Sequence, residues 1–434
     1  MNNKSRIALA IAAAFGTAAL GVSSGAIAQT STVQIGGGIN LKYVNHRNTG
    51  GAVSGSKNSN NDHLSLQEPE MWIHGEEKIG GNTAWFRCSS SFDILGAGGG
   101  TQATPAGTVA APSTSQLCGR NSALGFKGNF GNIYFGNWDS PTKNVSGPVR
   151  GWFSSTDSLV GGFGNVILNT SSSNTTNVNA TQASWTERRQ RQIRYDSPTM
   201  SGFTVSGAYT AANESTALST AALQGLTPRF AAFSVDYTNG PLFVGIAHER
   251  HMDHNPGAIG NGSVGTVNAA GTAFTAAVAS TVGNGAAGSY NGGTDKNWMF
   301  GVGYTFGFGM KLSALYNRSS YEVTDTTNLK KNGWAVFMDY KVSGPHVLKA
   351  NYFVGGDSKG NSTVAVGAHQ APGANTGAKG YNLGYMYEMS KRTSIGAMYS
   401  VIDNEVAAKY AKGIQGATLG QTQKVYGLYT KHSF

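Results

Sequence analysis

Val33-Gln34-Ile35-Gly36-Gly37-Gly38-Ile39-Asn40-Leu41-Lys42-Tyr43 alternates along its whole length, with Val33, Ile35, Gly37, Ile39, Leu41 and Tyr43 on one parity and Gln34, Gly36, Gly38, Asn40 and Lys42 on the other. Side chains of a β-strand point to opposite faces in turn, so one face of this segment is apolar and the other polar. A single such strand says only that one face is buried, in a protein core or in lipid. How often the pattern recurs decides between them.

It recurs to the end of the chain. Segments 64–78 and 83–94 flank Ile79-Gly80-Gly81-Asn82; 118–128 and 132–138 flank Asn129-Phe130-Gly131; 190–197 and 203–212 flank Pro198 to Gly202; 229–238 and 242–252 flank Asn239-Gly240-Pro241. Further on, 296–306 and 310–324 meet at Gly307-Phe308-Gly309, 331–342 and 347–355 at Ser343-Gly344-Pro345-His346, and 377–389 and 393–403 at Ser390-Lys391-Arg392. Segment 422–434 closes the series and makes sixteen strands. Seven short connections with turn chemistry alternate strictly with eight longer ones rich in Gly, Ser, Thr and Asn.

A sandwich or solenoid has no reason to place every long loop at one end. The pattern predicts an all-β fold: a 16-stranded antiparallel transmembrane β-barrel with short periplasmic turns and long extracellular loops, wide enough to hold water. An open edge cannot be satisfied in hydrocarbon, so the first and last strands must pair, Val425 to Phe434 beside Gln34 to Tyr43.

Composition agrees. Charged residues are 12% of the chain, against about 25% in ordinary soluble domains, and its 61 glycines are about twice the usual share. Lys4 and Arg6 precede an apolar run from Ile7 to Val22, and Ala26-Ile27-Ala28 follows, the layout of a cleavable secretory leader over 1–28. Losing those two positive charges takes the formal charge from +10 to +8 for a pore domain of residues 29–434. No later apolar run approaches the roughly 18 to 20 residues of a membrane helix. Export also allows Cys88 and Cys118, the two cysteines of the chain, to form a disulfide, with two buried thiols as the alternative.

The apolar faces, such as Trp334, Val336, Met338 and Tyr340, are expected to meet lipid. A charge at mid-depth on that face would cost about 2 to 4 kcal/mol, so charges belong on the other parity. Lys42, Arg87, Lys127, Arg194, Asp236, Lys311, Asp339, Lys341 and Lys349 are therefore expected in the lumen, and Arg120, on the apolar parity, at the rim. Segment 139–187 reads as a long loop, and Arg188, Arg189, Arg191 and Arg194 form the densest basic block where it rejoins the wall. Fixed charges count most at the narrowest point of a pore with low-dielectric walls, so these arginines are the foremost selectivity candidates. The alternative is a solvated loop end, and Arg188 and Arg189, being adjacent, should not both point inward.

The C-terminal Gly427-Leu428-Tyr429-Thr430-Lys431-His432-Ser433-Phe434 resembles the closing strand of trimeric general porins of beta-proteobacteria. Gly75 to Gly81 is similar to the first turn of that family, Arg120 to Gly131 to its second hairpin, and Arg188 to Pro198 with Gly202-Phe203 to the strand leaving its constriction loop. The resemblance implies a homotrimer in the outer membrane, among lipid and lipopolysaccharide, with the third long loop, 139–187, folded inward. It also implies that Arg87, Lys127 and the Arg188 to Arg194 group form the wall facing that loop. The sequence departs from the family where Arg191 replaces a frequent Asn, Asn137 a common Arg, and Thr430 an apolar residue; the loop carries three acids, Asp139, Asp157 and Glu187.

No catalytic constellation, nucleotide loop, cofactor motif or nucleic-acid signature is evident. His248, His251 and His254 have a metal-like composition, but 248 and 251 differ in strand parity. The expected function is passive diffusion of small hydrophilic solutes and ions, with a preference for anions. Alternatives are a channel selective for one anion or organic acid, and a surface adhesin or receptor that binds through 253–295.

Overall fold

The computed structural model describes residues 31–52, 58–67, 69–95, 117–150, 162–169, 184–210, 229–254, 266–267, 274–275, 293–323, 326–363, 365–411 and 417–434. The leader 1–28, Asp157 and most of 253–295 lie outside them. Sixteen strands build one closed antiparallel barrel: β1 Ser31–Gly50, β2 in two halves (Ser59–Leu66 and Glu70–Ile79), β3 Asn82–Ser90, β4 Ser122–Gly128, β5 Gly131–Asp139, β6 Arg188–Asp196, β7 Phe203–Thr210 and β8 Arg229–Asn239. They continue as β9 Leu242–His254, β10 Gly293–Thr305, β11 Met310–Glu322, β12 Asn328–Ser343, β13 His346–Gly355, β14 Ala378–Glu388, β15 Thr393–Asn404 and β16 Gln421–Ser433. Each pairs with its sequence neighbours, and β16 pairs with β1. Two short additions lie outside this count: Thr266–Val267 with Phe274–Thr275, and Lys359–Gly360 against the upper end of β12.

Three details differ from the sequence reading. Closure is staggered: Val425 opposes His46 and Ser433 opposes Gly38, so β16 lies beside residues 38–50, while 31–36 pair with β2 alone. A closed barrel requires such shear, which alternation within one strand does not encode. Gly37 exchanges backbone hydrogen bonds with Phe434 at 3.0 and 3.1 Å, and a Cβ there would lie 2.3 Å from the Glu70 carbonyl oxygen. Next, β2 breaks at Pro69, which lacks an N–H for the ladder; one extra residue bulges between Leu66 and Glu70. A second bulge in β6 puts Arg191 at φ 53°.

Among the described residues no helix is long and apolar enough to cross a membrane, and both helices lie inside the barrel. They belong to the segment between β5 and β6: α1 is Thr142–Arg150 and α2 is Gly162–Leu168. The Ser140 hydroxyl accepts from the Thr142 N–H at 3.3 Å, and Pro141 sits in the first turn, where a missing N–H is harmless. α1 packs on β8 to β11 and α2 on β12 to β15. Val145, Val149, Phe163, Val166, Ile167 and Leu168 are fully buried there; each such burial is worth roughly 1.5 to 3 kcal/mol. Glycines in the wall admit them. A Cβ at Gly301 would stand 2.7 Å from Val149 Cγ2, and one at Gly355 2.5 Å from Val166 Cγ1.

The segment is fixed at both ends by Glu249 of β9, whose carboxylate is wholly buried. It accepts from the Ser140 hydroxyl at 2.6 Å and the Thr142 hydroxyl at 2.8 Å, at the start of the segment. Arg189 Nη2, just past its end, donates at 3.0 Å, and His251 Nε2 lies at 2.8 Å. Asn169 ends α2 in the left-handed region (φ 57°); its Nδ2 donates to Tyr321 Oη at 3.0 Å, and Trp185 Nε1 donates to the same oxygen at 2.7 Å.

Cys88 and Cys118 form a disulfide. It joins the end of β3 to the residues before β4, so reduction should leave the β-sheet circular dichroism unchanged while segment 91–117 becomes open to proteolysis; a fall in sheet content would instead make the bridge part of the wall. Glu249→Ala leaves Arg189 and His251 buried without their carboxylate, a loss of about 3 to 5 kcal/mol. Its thermal midpoint should fall clearly, and that of Glu249→Gln less, because an amide oxygen still accepts from Ser140 and Thr142. An unchanged midpoint for Glu249→Ala would mean that the network does not hold the segment.

Candidate functional site

Lumen parity holds for the expected charges, but most are held by partners. Lys42 Nζ donates to Gln67 at 2.5 Å, and Lys349 Nζ to Asp339 at 2.8 Å. Lys311 donates to the Pro148 carbonyl oxygen at the C-terminal end of α1, where helix carbonyls lack partners and the dipole favours a cation.

The basic block divides. Arg194 is only 4% exposed: Nη1 donates to the Asp139 carbonyl oxygen at 2.6 Å, Nη2 to Asn144 Oδ1 at 3.0 Å, and Nε to Asp196 at 3.0 Å. Its parity is inward, as expected, yet it clamps the root of α1 rather than facing the water path. Arg189 turns inward to Glu249, while Arg188 Nε lies 3.6 Å from Asp139. The two adjacent arginines thus have different partners. Arg191 is exposed beside Ile193 and Tyr195, on the outward parity, so the structure does not bring it to the lumen with Arg194.

Asp139 also receives Lys143 Nζ at 2.9 Å and Asn121 Nδ2 at 2.9 Å. Glu187, in the loop just before β6, has its carboxyl pushed up by desolvation, with Lys143, Arg189 and Arg188 pulling the other way. Asn137 donates to the Gly119 and Arg120 carbonyls at 3.0 Å each and so fastens the segment before β4. His248 and His251 lie on opposite faces: His248 stacks on Trp298 outside, at 4.2 Å between ring centroids, and His251 lies against Glu249 inside.

The wall of β1 to β4, where neither helix packs, carries the partly open cations. Lys127 Nζ lies 2.5 Å from Glu76, which also meets His74 Nε2 at 2.9 Å. Arg87 Nη2 is 3.2 Å from Glu70 and its Cζ 4.7 Å from the centre of the Trp72 ring; Arg120 Nε is 4.0 Å from the same carboxylate. Arg120 precedes β4, so strand parity did not apply to it. Lys127 is the most open of this ladder, with 42% of its side chain exposed. Lys42, Arg87, Arg120 and Lys127 outnumber Glu70 and Glu76, which leaves this wall positive. The two carboxylates were legible as inward positions of β2, since they alternate with Met71 and Ile73, whereas the face of Glu249 was not, because Leu242 to Ala247 is apolar on both parities.

Residues 8–407 match the model of a family described as Gram-negative porin. Among curated proteins none matches the chain in sequence. Among solved structures, the anion-selective porin from Comamonas acidovorans is similar over 93% of this chain and 100% of its own, at 18% identity and a TM-score of 0.63. In-vitro folded OmpT, an outer membrane protein of Vibrio cholerae, is similar over 95% of this chain and 100% of its own, at 14% identity and a TM-score of 0.60; its trimer form gives 0.59 over 93% and 100%, also at 14%. With the closed barrel, the inward segment and the charged wall, this places the chain in the Gram-negative porin family, as a channel of the outer membrane.

Proposed function

We propose that the chain is a general diffusion porin that prefers anions, works as a homotrimer after removal of residues 1–28, and performs no chemical step of its own. The observation that carries the preference is the inner wall of β1 to β4, where Lys42, Arg87, Arg120 and Lys127 face two carboxylates, Glu70 and Glu76. Beside low-dielectric walls such a surplus raises the local concentration of anions over cations. The anion-selective relative supports the sign, and the trimer form of the Vibrio protein supports the assembly. The arginine block contributes through Arg188, while Arg189 and Arg194 hold the inward segment.

Reconstitution in a planar bilayer under a salt gradient tests this directly: the reversal potential should carry the anion sign, and a cation sign would overturn the proposal. Arg87→Glu and Lys127→Glu should each change the permeability ratio toward cations by roughly threefold, as expected for a two-unit charge change at a confined wall. Arg191→Glu, outward in the structure, should leave it within the error of the wild type. Arg194→Glu should act mainly on stability, by lowering the thermal midpoint through loss of the Asp139 and Asn144 contacts.

The raised Glu187 carboxyl gains its proton at a higher pH than an ordinary glutamate. Mild acidification therefore removes a negative charge and should move the reversal potential further toward anions, with a smaller movement in Glu187→Gln. A movement toward cations on acidification would contradict the assignment.

A further inference from the structure

Tryptophan in a membrane barrel belongs at the lipid interface, where the ring lies half in hydrocarbon and its N–H reaches water. Trp298 and Trp334 stand outward on β10 and β12 as that rule requires. Trp72, Trp85 and Trp138 do not. They occupy inward positions of β2, β3 and β5, while the neighbouring Met71, Ile73 and Phe86 are exposed outward. Among the described residues α1 and α2 pack on β8 to β15, so these three rings lie on the side left to the water path.

Trp85, Tyr134 and Trp138 form one cluster across β4, whose inward Ala123 and Gly125 are small enough to let the rings meet above them. A Cβ at Gly125 would stand 2.6 Å from Trp85. Ring centroids are 5.2 to 5.8 Å apart, at interplanar angles of 56° to 73°. Trp85 Nε1 donates to Asn132 Oδ1 at 2.8 Å and Tyr134 Oη to Asp196 at 2.8 Å, which fixes both rings. Trp85 and Tyr134 are buried, and Trp138 is the member that stays partly open. Trp72, also partly open, lies across β1 at Gly36, with Arg87 Cζ 4.7 Å from its ring centre.

The register interleaves these rings with the cations of the wall. Lys127 opposes Thr83, one inward position before Trp85, and Arg87 stands one inward position after it. Inward positions are two residues, about 7 Å, apart along a strand. A flat ring resting in one row therefore leaves a carboxylate within reach of a cation in the next.

We propose that this wall selects, among anions, planar aromatic carboxylates over saturated ones of equal charge. The inference rests on the anion preference proposed above and adds a discrimination that charge alone cannot give. The solute sets its ring against Trp138, or on the Arg87 guanidinium already stacked on Trp72, and turns its carboxylate to Lys127 or Arg120. Planar guanidinium and indole both stack on aromatic faces. Such contacts are favourable yet weak enough to release the solute, as conduction requires. A saturated ring has no π face to offer either of them.

Bi-ionic reversal potentials in a planar bilayer, with chloride on one side and benzoate or cyclohexanecarboxylate on the other, test the proposal. The two carboxylates share charge and carbon skeleton. Corrected for free mobility, benzoate should be at least about twofold more permeant, the low end of what one aromatic pair contributes. Equal corrected permeabilities would overturn the proposal and leave the anion preference, read in potassium chloride alone, standing. A cation sign in potassium chloride would remove that preference and the proposal with it. Trp72→Leu and Trp138→Leu should each reduce the benzoate advantage with the potassium chloride potential unchanged, and Trp298→Leu, outward, should match wild type. An advantage retained in full by both inward variants would mean that width alone sets it, and would overturn the role of the rings. Heat-modifiable migration reports folding. If the inward tryptophan variants do not fold, Arg87→Lys decides: it keeps the charge and loses the planar stack, so the benzoate advantage should fall, and no change would again overturn the proposal.

Discussion

A single buried carboxylate, that of Glu249, organises the interior of this barrel. An ionised group removed from water is tolerable only when its oxygens are fully hydrogen-bonded and its charge is met. Here the hydroxyls of Ser140 and Thr142, the Arg189 guanidinium and the His251 imidazole supply both. Those four come from the beginning of the inward segment, from the strand after its end, and from the wall itself. Solvation of one group therefore ties together parts of the chain distant in sequence. The segment that lines the pore is held at its roots, and the apolar faces of α1 and α2 can then settle on the wall.

Around that anchor the membrane sets the remaining constraints. Hydrocarbon leaves no unpaired backbone group unpunished, which forces closure through β1 and β16, and it excludes charge from the outward face at mid-depth. The charges collect in the lumen and at the rims. Inside, they meet one another: most lumen cations have an acid, an amide or a helix carbonyl within hydrogen-bonding reach. In the proposed reading selectivity follows the surplus left after pairing and not the number of basic residues, and that surplus lies on the wall of β1 to β4.

What the sequence revealed followed from how local the governing physics was. Period-2 alternation is a property of each strand, so all sixteen strands and the apolar or polar sense of most faces were legible from segments such as 33–43, whereas 242–252, apolar on both parities up to Ala247, left its inward face open. Closure was legible as a necessity, but its stagger was not, because shear belongs to the whole ring. Parity gave Arg194 its correct side and hid its role, since parity tells direction but not what lies on top; Asp139 and Asn144 cover it. Arg191 shares the outward parity of Ile193 and Tyr195, and the one-residue bulge before Gln192 is what turns Arg189 inward to Glu249. The role of Glu249 was hidden among metal-like histidines because three of its partners, Ser140, Thr142 and Arg189, lie 109, 107 and 60 residues away. The helices left no stripe to read: Thr142 to Arg150 contains both Gly147 and Pro148.

The glycines behind the helices bear on the calibre of the pore. At Gly301 and Gly355 the helices rest on bare backbone, so the distance from wall to helix is at its minimum and the water path is correspondingly wide. A methyl group there would act as a shim, pushing the inner segment toward the axis without altering any residue that a solute touches. Bore and charge are thus separately adjustable in this barrel, the first from the hidden side of the helices and the second from the open wall facing them.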